Sequence, residues 1–91
     1  MFEEKLYHIV NGENAKFTIR NRIIDGELFY YANVINTDLE VYKKLSDAEK
    51  EVYYGIEISD GQGNKINYQN VEELKTDILN KYGKEWLQTE K

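Results

Sequence analysis

Asp25-Gly26 stands between two β-rich runs, Phe17 to Ile24 and Glu27 to Ile35, and it constrains the chain more than any other feature. A two-residue type I′ hairpin turn needs positive φ at both central residues, which Asp-Gly supplies. So short a loop also fixes the register, because a slip of one residue would turn every side chain to the other face. Ile24 then lies opposite Glu27, Arg22 opposite Phe29, Arg20 opposite Tyr31 and Thr18 opposite Asn33. The other face carries Ile23 with Leu28, Asn21 with Tyr30, Ile19 with Ala32 and Phe17 with Val34. It is the more apolar face and is expected against the core, with Ile23 and Leu28 buried. The first face sets Arg20 and Arg22, the only arginines of the chain, beside Phe29 and Tyr31.

Around this hairpin the remaining signals are local. Leu6 to Val10 alternates and ends at Asn11-Gly12, which reads as a strand and a turn. Thr37-Asp38-Leu39-Glu40 has the spacing of a capping box, predicting a helix through Lys44 or Leu45, and Ser46-Asp47-Ala48-Glu49 restarts a second turn. Val52 to Ile58 reads as a strand with Ile56 and Ile58 on one face and Glu57 on the other. Tyr53 and Tyr54 would point to opposite sides of it, so one of the pair extends the arginine–aromatic face, and Tyr53 is the candidate. The loop Ser59 to Asn64 leads into a short strand, Lys65 to Tyr68. Asn70 is an N-cap with Glu72 and Glu73 in the first turn. Val71, Leu74, Ile78 and Tyr82 recur at helical spacing, with Glu72, Glu73, Thr76 and Asn80 facing water. Gly83 suits a C-terminal stop, and Trp86 and Leu87 are expected to fold back on the core. The expected fold is α+β: an antiparallel sheet of four to five strands, in the order β-β-β-α-β-β-α, packed against one or two helices.

The 91 residues carry no repeat, low-complexity tract, linker or proline, so one domain over 1–91 is expected. Eight tyrosines, three phenylalanines and one tryptophan accompany a single histidine and no cysteine. Without cysteine there are no disulfides, thiolate nucleophiles or Cys-based zinc sites, which favours a cytoplasmic setting. Acids rather than a basic region occupy the N-terminus, unlike a signal peptide, and no apolar run reaches membrane-span length. A net charge of −5 disfavours direct nucleic-acid or anionic-membrane binding, which needs cations to release counterions. It permits a basic protein partner, a nucleic-acid-binding protein included.

Catalytic chemistry finds little material here. His8 has no Ser/His/Asp-type pattern around it and reads as a strand histidine facing solvent. The 17 carboxylates read as solvated surface, since a chain of this size has little mass for a sugar-sized cleft between two of them. Asp60-Gly61-Gln62-Gly63-Asn64 alternates oxygen ligands like a calcium loop. Lys65, however, stands where the sharp-turn glycine belongs and Val71 where the bidentate glutamate belongs. It reads as a hairpin turn, and no metal, cofactor or catalytic residue is assigned.

The positive case rests on Arg20, Arg22, Phe29, Tyr31 and Tyr53. Arginine and tyrosine are enriched at binding hot spots, while a cross-strand arginine–ring pair is equally an ordinary structural contact worth about 0.5–1 kcal/mol when exposed. The leading expectation is a non-enzymatic protein-binding domain, a stoichiometric inhibitor or immunity-type factor blocking a larger basic target. In size and composition it is like small inhibitors, including anti-defence factors, encoded by phages and mobile elements. Acids such as Glu72, Glu73 and Asp77 would steer its approach. The alternative is a structural or accessory subunit that self-associates through the same face, so monomer and homodimer are both open. A sheet-based RNA binder with Phe29 and Tyr31 stacking bases has suitable aromatics but the wrong net charge.

Overall fold

The structure, a computed structural model, describes residues 2–10, 12–60 and 62–82, with only the backbone of Lys81 and Tyr82. Strands β1 (Glu3–Val10), β2 (Glu13–Ile24), β3 (Glu27–Asn36) and β4 (Ile56–Glu57) form one antiparallel sheet in that spatial order. Two short helices, α1 (Glu40–Lys43) and α2 (Asp47–Glu51), stand between β3 and β4. Helix α3 (Val71–Asp77) runs into a π-helical turn over Ile78–Tyr82. This is the expected α+β class with four strands.

The turn at Asp25-Gly26 has φ of 50° and 82°, and every predicted β2–β3 pair from Phe17–Val34 to Ile24–Glu27 is present. On the core face Phe17, Ile19, Ala32 and Val34 are buried together with Val10, Ala15, Ile58, Leu74 and Ile78. Ile23 and Leu28 share that face but are 65% and 42% exposed, so their expected burial is corrected. The reason is length. Twelve residues of β2 extend about 40 Å, whereas the seven of α3 and the five of its π-helical turn together cover less than about 20 Å. The helix does not reach the end of the hairpin.

Asn70 caps α3 as expected, its side-chain oxygen accepting from the Glu72 and Glu73 amides. Leu74 and Ile78 are buried, Val71 is half-buried, and Glu72, Glu73, Thr76 and Asn80 face solvent. The Tyr82 side chain expected on the apolar face, the C-terminal stop expected at Gly83 and the return of Trp86 and Leu87 to the core lie outside the described residues.

Three other readings change. The N-cap of α1 is Leu39, without a side-chain cap; Thr37 instead donates its hydroxyl to the Asn14 carbonyl. The capping box forms one helix later, where Ser46 and Glu49 satisfy each other's amides at the start of α2. The expected strand over Val52 to Ile58 shrinks to Ile56–Glu57, because Val52 closes α2 and residues 53–55 cross over β3. The short strand at Lys65 to Tyr68 reduces to single bridges, Ser59 with Lys65 and Tyr68 with Tyr30.

The helices divide between the two faces of the sheet. Leu74 and Ile78 close the apolar face, while the segment from α1 to Gly55 lies over the other. There Lys16, Thr18, Tyr31 and Asn33 are buried beneath Tyr42, Lys50, Tyr54 and Gly55.

Candidate functional site

The two-residue turn places Arg20, Arg22, Phe29 and Tyr31 on one sheet face, and the chain returning from α2 completes their surroundings. Tyr31 lies beneath both arginines, the Arg22 guanidinium 4.0 Å and the Arg20 guanidinium 5.5 Å from its ring centre. At 9% exposure Tyr31 is a floor for these cations. Phe29, opposite Arg22 and one step nearer the turn, is half-buried.

The two arginines differ in how they are held. Arg22 pairs through Nη2 and Nη1 with the Glu57 carboxylate at 2.7 and 3.4 Å, and donates from Nε to Asn67 Oδ1 at 2.8 Å. Its fork is filled by its own chain. Arg20 lies 4.2 Å from the Tyr54 ring centre as well as over Tyr31, and among the described residues no acceptor or carboxylate engages its guanidinium. Five N–H donors are thus oriented by two rings without being consumed by them.

The tyrosine that joins this cluster is Tyr54. Tyr53 packs instead near Tyr42, with ring centres 6.2 Å apart. Alternation across a strand could not distinguish the two, since residues 53–55 are not in one. The Tyr54 hydroxyl is hydrogen-bonded to Glu3, the chief cause of its pKa lying above the ordinary tyrosine value.

Lys16 and Lys5, which sequence reasoning passed over, anchor the neighbouring region. Buried Lys16 donates to the Lys50 carbonyl at 2.7 Å and lies 5.2 Å from the Tyr42 ring centre. Desolvation pushes its pKa below the ordinary lysine value. Lys5 pairs with Glu51 at 2.5 Å, a contact that raises the lysine pKa and lowers that of the glutamate. The period-2 position of Lys16, in register with Thr18 and Arg20, was the available signal; its burial depended on α2 landing above it.

Of the acids expected to steer a partner, Glu72 and Glu73 are exposed, but Asp77 accepts a hydrogen bond from the Tyr68 hydroxyl at 2.6 Å and is half-buried. The loop at Asp60 is a tight turn. Its carboxylate accepts from the Gln62 and Asn64 amides, both at 2.8 Å, which holds its pKa below the ordinary value. No cluster of three or more His, Asp or Glu side chains with metal-site geometry occurs among the described residues, and none of their helices is long and apolar enough to cross a membrane. Comparison with protein-family models, curated proteins and solved structures found no match.

Proposed function

We propose that this chain is a non-enzymatic protein-binding domain, an inhibitor- or immunity-type factor that occupies the surface of a larger, basic protein in a cytoplasmic setting. The observation that carries the reading is Arg20, a guanidinium held between the Tyr31 and Tyr54 rings with no acceptor among the described residues. Such a group loses little conformational freedom when a carbonyl or carboxylate of a partner meets it, and rigid arginine and tyrosine side chains dominate binding energy at interfaces. The half-buried Phe29 and the exposed Ile24 continue the same face toward the turn, giving apolar area beside the cation. Net charge of −5 and the exposed Glu72 and Glu73 favour a basic partner by steering its approach.

The test uses the partner captured by the wild-type chain from a lysate of its source cell. Arg20→Ala and Tyr54→Ala should each weaken that complex by about 1–2 kcal/mol or more while shifting the free domain's stability by less than about 1 kcal/mol. Tyr31→Ala is unsuitable for this purpose, because the buried ring supports both arginines and its loss should destabilise the fold. A stable Arg20→Ala/Tyr54→Ala variant with full partner affinity would overturn the reading.

A further inference from the structure

We propose that β1 pairs with β1 of a second copy of this chain, antiparallel about a twofold axis, joining two four-stranded sheets into one of eight strands. β1 is an edge strand, and among the described residues its backbone bonds run only to β2. An open edge presents a row of amides and carbonyls that a further strand can complete, and proteins commonly blunt such edges with charge. Here the charges are confined to one half. Glu3, Glu4 and Lys5 guard the start of β1, whereas Leu6-Tyr7-His8-Ile9-Val10 carries no Asp, Glu, Lys or Arg. In that unguarded half Tyr7 is 71% and Ile9 63% exposed. Both point to the same face, beside an open groove of about 310 Å³ lined by Tyr7, Ile9, Asn14 and Thr37 among others.

A second copy fits this edge in a definite register. A twofold axis perpendicular to the sheet keeps every residue on its own face, so only like-facing residues can meet. With the axis at His8, Tyr7 of each copy lies opposite Ile9 of the other, and Leu6 opposite Val10. Aromatic rings set against β-branched residues are favourable cross-strand pairs, and each Tyr7 ring is brought to the groove beside Ile9, Asn14 and Thr37. Glu3, Glu4 and Lys5 stay outside the paired stretch. Moving the axis to Tyr7 would set Lys5 against Ile9 and Glu4 against Val10, which is why the His8 register is preferred. The ladder is short and each copy carries a charge of −5, so the dimer is weak and tightens as salt screens the repulsion.

Sedimentation equilibrium of the full chain up to ~1 mM should show a reversible monomer–dimer exchange, tighter at about 500 mM than at about 50 mM salt. Ile9→Lys, at an exposed position, should weaken dimerisation at least tenfold without altering the melting curve. Because the chain lacks cysteine, His8→Cys reports the register directly. Facing residues in an antiparallel pair lie within disulfide range, so mild oxidation should crosslink His8→Cys well ahead of Gln62→Cys, a variant in an exposed turn. A monomer at every concentration, an Ile9→Lys variant that dimerises as the wild type does, or equal crosslinking at positions 8 and 62 would each overturn the proposal. A monomeric result would leave the edge for an extended segment of a different protein and would not touch the reading based on Arg20.

Discussion

Two glycines with positive φ carry different constraints. At Gly26 a Cβ would meet nothing within 4 Å, so only the backbone conformation opposes a side chain. At Gly55 the Cβ would stand 2.3 Å from the Val34 carbonyl oxygen and 2.8 Å from Ile35 Cβ, because the chain leaving α2 passes directly over β3. Gly26→Ala should therefore cost about 1–2 kcal/mol, the ordinary penalty of the left-handed region. Gly55→Ala adds a clash with backbone and should cost clearly more, above about 3 kcal/mol when overpacking is included. Chemical denaturation of the two variants compares them directly. Equal losses would mean that the crossing over β3 is not as close as described. The arginines make a similar contrast: they occupy equivalent alternating positions on β2, yet Glu57 and Asn67 occupy Arg22 while, among the described residues, Arg20 meets two rings and no acceptor.

Among the elements, the β2–β3 hairpin and α3 set the fold, and their overlap decides which apolar residues contribute. Leu74 is 1% exposed and packs against the Phe17, Ile19 and Val34 layer. Leu74→Ala should cost about 2–5 kcal/mol, the range for a buried leucine replaced by alanine. Ile23 lies on the same sheet face but beyond the reach of α3, so Ile23→Thr should change stability by about 0.5 kcal/mol or less. A loss below about 1 kcal/mol for Leu74→Ala, or a large one for Ile23→Thr, would place the core at the wrong end of the hairpin. Helices α1 and α2 contain no buried residue. They are fixed instead through Tyr42, the Lys16 contact with the Lys50 carbonyl and the Lys5–Glu51 pair.

For the whole molecule the acid side of the stability profile has a definite sign. Asp38 receives hydrogen bonds from the Asn14 backbone and side chain, Glu51 is paired with Lys5, and Asp60 accepts amides of its own turn; each holds its carboxyl below the ordinary value. A depressed carboxyl contributes stability above its unfolded pKa and loses it as pH falls through the folded one. The melting temperature should thus decline as pH falls from about 5 to about 3. Lys5 and Lys75, raised by Glu51 and Glu4, keep their contribution through neutral pH and lose it only as pH rises through their folded values, above the ordinary lysine pKa of about 10.4. A midpoint that stays level or rises on acidification would show that these contacts do not stabilise the fold.

Asp25-Gly26 determined the β2–β3 register by itself, because the turn's φ requirement and the two-residue alternation of a strand are local rules. Asn70 and the Val71, Leu74, Ile78 spacing did the same for α3. Other features depended on where distant segments land. The burial of Lys16 follows from α1 and α2 landing above it, the exposure of Ile23 and Leu28 from the reach of α3, and the assignment of the second ring to Tyr54 from the path of residues 53–55 over the sheet. The capping pattern at Thr37 was present in the sequence, but its hydroxyl donates to the Asn14 carbonyl instead, and only tertiary contact could make that choice. Alternation put Arg20 and Arg22 on one face. Which of them is engaged was decided, among the described residues, by Glu57 and Asn67, 35 and 45 positions away from Arg22 along the chain.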